Sequence, residues 1–342
     1  MSKMNANDAL NLLSKLTLPR FWNGCKVLAS YYLSKWTGNA IQWGRPIAVS
    51  VEPTTSCNLR CPECPSGLRA FTRPTGMLQK NFFKNTIDQL QRELFYLTFY
   101  FQGEPYLNPG FLEMVKYASS QKIYTTTSTN AHYLNDENAR KTIESGLDRL
   151  IISIDGTTQE VYQQYRVGGN LNKVLEGARN IVKWKKELKS RTPFVIFQFL
   201  VVKPNEHQLD HVKQIADEIG VDAVWFKTAQ VYDYENDPHQ LIPRNDKYSR
   251  YKKVNGQFQL KNSMSNHCWR LWHAPVITWD GMVVPCCFDK DAQHQLGDLK
   301  QKSFKEIWND ETYVNFRKQL SKGRANIDIC ANCSEGTKVW ET

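Results

Sequence analysis

Cys57-Asn58-Leu59-Arg60-Cys61-Pro62-Glu63-Cys64 places three thiols within eight residues, in the spacing C-x3-C-x2-C. Short loops let thiolates converge on one metal centre at little closure entropy. Three ligands rather than four is the informative number. A structural site closes its coordination shell, whereas a reactive site keeps a position open. Three cysteines on a four-iron cluster leave one iron for another ligand. The competing readings of the triplet alone are a zinc knuckle and a redox-active thiol trio.

Upstream, Ile47-Ala48-Val49-Ser50-Val51 reads as a short buried strand feeding the cysteine loop. Downstream, strand-like and helix-like segments alternate. Strands are expected at Leu94 to Phe101, Ile123 to Ser128, Leu150 to Ile154, Phe194 to Val202 and Ala223 to Lys227. Helices are expected at Phe111 to Ser119, Asp136 to Ser145, from Gln159, at Leu171 to Leu188 and at Gln208 to Ile219. Six β–α units in series imply a parallel sheet, and right-handed crossovers curl it toward a barrel. Chemistry in such barrels sits at the carboxyl ends of the strands. Those ends carry the cysteines, then Gln102-Gly103-Glu104-Pro105, Ser128-Thr129-Asn130 and Ser153-Ile154-Asp155-Gly156. Each alone reads as a turn. Their order behind a cysteine triplet points to one site.

The triplet after an apolar strand resembles the signature of the radical S-adenosylmethionine (SAM) enzymes. That resemblance implies a [4Fe-4S] cluster on Cys57, Cys61 and Cys64, with the amino and carboxylate groups of SAM on the fourth iron. It implies reductive cleavage of SAM to a 5′-deoxyadenosyl radical that abstracts hydrogen from substrate. The family carries Gly-Gly-Glu-Pro after its second strand, where backbone and carboxylate hold the SAM ammonium. This chain keeps Gly103, Glu104 and Pro105 but has Gln102 in place of the first glycine. A carboxylate facing an ammonium makes a charge-assisted hydrogen bond strong enough to orient a ligand. Ser128, Asn130, Ser153 and Asp155 match the places of family residues near the SAM carboxylate and ribose. Arg166 is either a partner of the SAM carboxylate or a surface arginine. The family often has an aromatic residue before the third cysteine, where this chain has Glu63.

The chain has 342 residues, enough for a barrel-sized domain and a small one. Hydrophobic residues at 41% and charged residues at 23% exclude a disordered chain. The net charge of +10 permits nucleic-acid binding, but the basic residues are scattered and form no nucleic-acid motif. Met1 to Ala9 is polar and lacks the form of a secretory leader. A cytoplasmic protein is therefore expected, in which nine clustered cysteines favour metal over disulfides. No run approaches 18 apolar residues, so no membrane span is expected.

Three segments follow: a helical extension at 1–45, the barrel at 46–235 and a cysteine-rich unit at 255–342. In the extension, Leu10, Leu13, Leu16, Val27, Leu28, Tyr31 and Tyr32 recur at helical spacing, and six basic residues face one acid, Asp8. Such helices either dock on the barrel or touch anionic lipid weakly. Beyond the polar stretch Pro238 to Lys261 lie Cys268, Cys286, Cys287, Cys330 and Cys333. Asp280-Gly281 between Val276–Trp279 and Met282–Val284 signals a hairpin. Four thiols joined by a hairpin and a terminal C-x2-C make a second metal site, zinc or iron–sulfur.

C-x12-G-x4-C followed by C-x2-C resembles the auxiliary-cluster (SPASM) domain of radical SAM enzymes, in its shorter "twitch" form with one auxiliary [4Fe-4S] cluster. The family's G-x4-C spacing lands on Cys286. Adjacent cysteines on an extended strand face opposite sides, so Cys286 and Cys287 do not share a cluster. The expected ligands are Cys268, Cys286, Cys330 and Cys333, with Cys287 a buried thiol beside them. The overall expectation is an α/β fold: a partial (β/α)6 TIM-like barrel with a small C-terminal α+β iron–sulfur domain. The resemblance implies an enzyme carrying out a net oxidation of a peptide or small molecule, aided by the auxiliary cluster as electron acceptor and fed by a flavodoxin or ferredoxin. The alternative is a non-enzymatic zinc- or iron–sulfur-binding interaction protein.

Overall fold

Nine strands form one sheet in a computed structural model that describes residues 6–261 and 264–333. The parallel part contains β1 (Ala48–Val51), β2 (Tyr96–Thr98), β3 (Tyr124–Thr129), β4 (Arg149–Ser153), β5 (Phe194–Val201) and β6 (Ala223–Thr228) in that spatial order. Helices α1 (Ala6–Ser14) and α2 (Leu18–Thr37) precede it, and the short α3 (Pro65–Leu68) follows the cysteine loop. Helices α4 (Lys80–Leu90), α5 (Phe111–Ser120), α6 (Asp136–Glu144), α7 (Gln159–Tyr165), α8 (Leu171–Glu187) and α9 (Leu209–Ile219) make the crossovers. The sheet remains open, with β6 at one edge. This is a partial barrel with a C-terminal unit built onto it.

Local chemistry sets these boundaries. β4 is buried at every position, as expected of a strand covered on both faces. Asn135 caps α6 by accepting from the Asn138 amide, with Asp136 and Glu137 in the first turn beside the helix dipole. Asn170 caps α8 in the same way. Gly220 ends α9 at φ +86°, a left-handed conformation that disfavours other residues. Two of the elements outside the sequence expectations bear on the barrel. One is α4, whose buried Phe83, Thr86, Ile87 and Leu90 share one helical face. The other is the hairpin of β7 (Tyr251–Val254) and β8 (Gln257–Leu260), within a stretch that reads as polar and aperiodic. Its turn is Asn255-Gly256, both at positive φ, the dipeptide that suits a tight hairpin.

The C-terminal unit contains α10 (Arg270–His273), β9 (Val276–Ile277), β10 (Met282–Val284), β11 (Gly297–Asp298), α11 (Phe304–Asn309), α12 (Glu311–Gly323) and α13 (Asp328–Ala331). Its hairpin does not form a separate sheet. β9 pairs parallel with β1, Ser50 against Val276 and Val51 against Ile277, and β10 returns antiparallel to β9. The strand leading to the cysteine loop is thus flanked by β2 on one side and by the auxiliary unit on the other.

A buried ion pair fastens this seam. Arg73 donates to both oxygens of Glu52, at 2.8 and 2.6 Å, and the Trp279 amide donates to the same carboxylate at 3.2 Å. Glu52 is fully buried, which pushes its carboxyl up, while Arg73 pulls the other way. Breaking a buried pair strands a charge, at a cost of about 3–5 kcal/mol. Arg73→Met is therefore expected to destabilise the protein by about that amount in urea denaturation. Adding Glu52→Gln should restore most of the loss. A single variant as stable as the native chain would show that the pair does not hold the seam.

The N-terminal helices pack on the amino-terminal end of the barrel. Asp8 is buried and accepts hydrogen bonds from Tyr124 and Arg149, the first residues of β3 and β4. Asn11 and Lys15 reach Asp148 at 2.9 and 3.0 Å. Arg20 donates to the carbonyls of Gln91 and Gln121, at the foot of β2 and β3. Among the described residues, no helix is long and apolar enough to cross a membrane.

Candidate active site

One cavity of about 260 Å³ opens at the carboxyl ends of the strands. It is lined by Cys57, Cys61 and Cys64 from the loop after β1. Gln102, Gly103 and Glu104 come from the end of β2, Ser128 and Asn130 from β3, and Ser153 from β4. Arg166 follows α7, and Lys290 comes from the C-terminal unit. Segments far apart in the chain are brought to one place by the parallel sheet. Asp155 is absent from this lining and sits behind Arg166.

Gly103 is required by the backbone. Its φ is +73°, and a Cβ there would lie 2.2 Å from the Thr54 carbonyl oxygen. Its amide donates to Ser66 Oγ at 2.9 Å, and the next amide, of Glu104, donates to the Ser56 carbonyl at 2.7 Å. The strand-2 end is thus stitched directly to the cysteine loop. Gln102, where the related motif has glycine, turns its side chain to Cys64, whose thiol donates to Oε1 at 3.7 Å. Glu63 is likewise buried, and its Oε2 accepts from the Tyr232 amide at 2.8 Å. It anchors the cysteine loop to the segment after β6. Aromatic surface in the cavity comes instead from Tyr100, Phe101 and Tyr165.

Glu104 is buried and held by three donors. Thr129 Oγ1 lies 2.7 Å and the Tyr106 amide 3.3 Å from Oε1, and the Asn130 amide lies 2.8 Å from Oε2. Burial nevertheless dominates and pushes its carboxyl up to about 7. A carboxylate preoriented at a cavity, yet lacking a full counter-charge, is ready for a cation. Arg166 is not a surface residue. Its Nε donates to Asp155 at 2.5 Å and its Nη1 points to Cys61 Sγ at 3.8 Å. Asp155 spends its other oxygen on the Leu200 amide. Ser128 and Ser153 face each other across neighbouring strands, hydroxyl to hydroxyl at 3.4 Å.

The thiols suit an anionic iron–sulfur group. Cys57 Sγ accepts from the Leu59 amide at 3.4 Å and from Asn130 Nδ2 at 3.9 Å, and Cys61 faces the Arg166 guanidinium. Donors aimed at sulfur stabilise thiolate and cluster charge. Among the described residues, no three His, Cys, Asp or Glu side chains close on a point as a single-ion site does. The thiols instead rim the cavity.

Cysteines of the C-terminal unit gather at a second place, while Cys25 is exposed on α2. Cys286 lies within electrostatic reach of Cys268 and Cys333, and Arg324 within reach of Cys268, Cys330 and Cys333. Arg324 is buried, and its Nη2 donates to Cys333 Sγ at 3.2 Å. A buried cation facing three of these thiols fits a negatively charged cluster. Cys287 takes the other face and packs on the apolar group of Phe101, Val276, Val284 and Ala292.

Lys290 was not foreseen. Burial lowers its ammonium, and it stands over the Tyr232 ring at 4.4 Å, within electrostatic reach of Cys64 and Cys287. Nothing in its local sequence marks it; only the pairing of β9 with β1 brings it to the cavity.

Residues 51–224 match the model of the radical SAM superfamily, which spans about half of the chain. The chain belongs to the radical SAM superfamily. Residues 268–334 match the SPASM iron–sulfur cluster-binding domain. A tungsten-containing aldehyde ferredoxin oxidoreductase cofactor-modifying protein of Pyrococcus furiosus is 26% identical over 297 residues, covering 78% of this chain and 82% of that protein. The PqqA peptide cyclase of Bradyrhizobium diazoefficiens is 29% identical over 204 residues, 58% of this chain and 51% of the cyclase. Among solved structures, Streptococcus suis SuiB bound to its precursor peptide SuiA superposes with a TM-score of 0.62 at 14% identity, over 93% of this chain and 76% of that one. This radical SAM protein accordingly takes SAM and a [4Fe-4S] cluster in its barrel and iron–sulfur ligation in its SPASM unit.

Proposed function

We propose that this radical SAM protein abstracts hydrogen from a peptide or small-molecule substrate and carries out its net oxidation. The observation that carries the reading is the single cavity shared by three thiols, a preoriented carboxylate and the polar ends of β3 and β4. When loaded, the two centres supply one-electron cleavage of SAM and a sink for the electron released on oxidation. Cys57, Cys61 and Cys64 would hold the first centre. Cys268, Cys286, Cys330 and Cys333 would hold the second. Glu104 receives the SAM ammonium, while Gly103 lets the backbone approach. Asn130, Ser128 and Ser153 offer polar contacts along the strand ends. Arg166, braced by Asp155, supplies positive charge beside Cys61. Substrate enters between the barrel mouth and the C-terminal unit, where Lys290 can take an anionic group.

The substrate class is supported by relatives named for modifying a cofactor and for cyclising a peptide. A flavodoxin or ferredoxin in the cytoplasm is the proposed electron donor. The barrel at 46–235 and the auxiliary unit at 255–342 are the proposed working domains.

Glu104 provides the first test. A hydrogen bond between charged partners contributes about 1.5–3 kcal/mol, roughly ten- to a hundredfold in affinity. Glu104→Gln is expected to weaken SAM binding by that factor with iron content unchanged. The native protein should also lose SAM affinity as pH falls below about 7. Below that pH the carboxyl takes up a proton and no longer opposes the ammonium; above it the affinity levels off. The Gln variant should lack this dependence. Calorimetry showing equal affinity in both proteins at neutral pH would remove Glu104 from the SAM site.

A further inference from the structure

Helix α2 turns its polar side inward. Arg20, Asn23, Ser30 and Ser34 are buried with Val27, whereas Leu18, Phe21, Trp22, Leu28, Tyr32 and Trp36 are exposed. At 100° per residue these six exposed side chains fall on one stripe of the helix. Helix α1 repeats the pattern, with Asp8 inward and Leu10 and Leu13 outward.

The orientation is fixed by hydrogen bonds. Asn23 exchanges two bonds with the backbone of Arg45, both at 2.9 Å. Ser30 accepts from the Trp43 amide at 2.8 Å, and Ser34 from the Ile41 amide at 2.9 Å. Trp272 and Trp308 of the C-terminal unit hold the same returning segment from beyond, donating to the carbonyls of Ile41 and Gly44. Rolling α2 to bury its tryptophans would orphan these groups, each at a real desolvation cost. The apolar stripe is therefore a stable outer surface of the molecule. Of the fourteen exposed large hydrophobic side chains among the described residues, ten lie between residues 10 and 43. An apolar patch concentrated in this way marks an interaction surface.

The charges identify what covers it. Asp8 is the one acid among residues 6–45, and it is buried against Arg149. Lys26 and Lys35 are exposed on α2 beside the stripe. A second copy of this chain pairing through the same face would set lysine near lysine with no exposed acid on α1 or α2 to answer it, which disfavours it. Trp22, Trp36, Trp43 and Tyr32 are the side chains that settle at a membrane–water interface. We propose that the outer face of α1 and α2 binds the surface of an anionic lipid bilayer, lying in the interface plane without crossing it. Basic and aromatic residues on one rigid apolar face are what such binding requires.

Vesicle flotation of the full-length protein tests this, with phosphatidylcholine vesicles against vesicles containing phosphatidylglycerol. The protein should float with the anionic vesicles, roughly tenfold more strongly than with neutral ones, and less so at high salt. Its tryptophan fluorescence should shift to the blue on binding. Trp22→Ser with Trp36→Ser should lower partitioning by roughly tenfold or more while leaving the thermal midpoint unchanged, because both side chains point outward. Lys26→Glu with Lys35→Glu should remove the preference for anionic lipid. Failure of the native protein to float with anionic vesicles at low salt would overturn the proposal. So would a dimer in solution that the tryptophan double variant dissociates, since the face would then be a self-interface.

Discussion

Replacing Cys57, Cys61 and Cys64 together with alanine is expected to abolish SAM cleavage and to remove about half of the protein's iron. The three thiols share one loop and one cavity with Glu104 and the strand ends. No other described cysteine lines that cavity, so no substitute ligand stands nearby. The loop itself should keep its place. Its anchors are the Gly103 amide on Ser66, the Glu104 amide on the Ser56 carbonyl and Glu63 on the Tyr232 amide, none of which needs a cysteine. The variant should therefore fold and retain the auxiliary iron. Loss of all iron would show that the two centres depend on each other. Retention of full SAM cleavage would remove the triplet from the chemistry.

Cys286→Ala is expected to lose the other half of the iron, whereas Cys287→Ala should keep nearly all of it. The two thiols are adjacent after β10 yet face different surroundings. Cys286 lies toward Cys268 and Cys333, two of the thiols that also face the buried guanidinium of Arg324. Cys287 packs with Phe101 and Val276 on the barrel side. The strand stops at Val284, and a turn in which the Asp289 amide donates to the Cys286 carbonyl at 3.2 Å, rather than strand alternation, parts the two side chains. Substrate oxidation should fall with Cys286→Ala while 5′-deoxyadenosine formation persists. If iron loss follows Cys287 instead, the ligand set is wrong by one position.

Much of the barrel was legible because each strand and helix carries its own period and its own boundary residues. Asn135, Asn170 and Gly220 mark helix ends without help from distant parts of the chain. The cysteine triplet and the order of polar strand ends were legible for the same reason. What escaped depends on long-range pairing. Period-two patterning marks β9 as a strand but does not say that β1 is its neighbour. Without that pairing, Lys290 cannot be placed in the cavity, nor Trp279 on Glu52. Strand β2 spans Tyr96–Thr98, shorter than the apolar run Leu94 to Phe101, because regular pairing stops before the run does. The apolar periodicity of α2 marked a helix but left open whether it docks on the barrel or touches lipid. The structure buries Arg20, Asn23, Val27, Ser30 and Ser34, because backbone carbonyls and amides of residues 41–45 lie under it. The Asn255-Gly256 hairpin did carry a local signal, hidden by the polar residues around it.

The central claim is that this cavity breaks SAM by one-electron reduction. Its most direct test is the anaerobically purified native protein, given dithionite and SAM, with 5′-deoxyadenosine measured beside metal content. The account predicts a brown protein with roughly eight irons per chain that forms 5′-deoxyadenosine. A colourless protein holding about two zinc ions and forming none would contradict it, and the cysteines would then serve a structural, interaction-bearing fold.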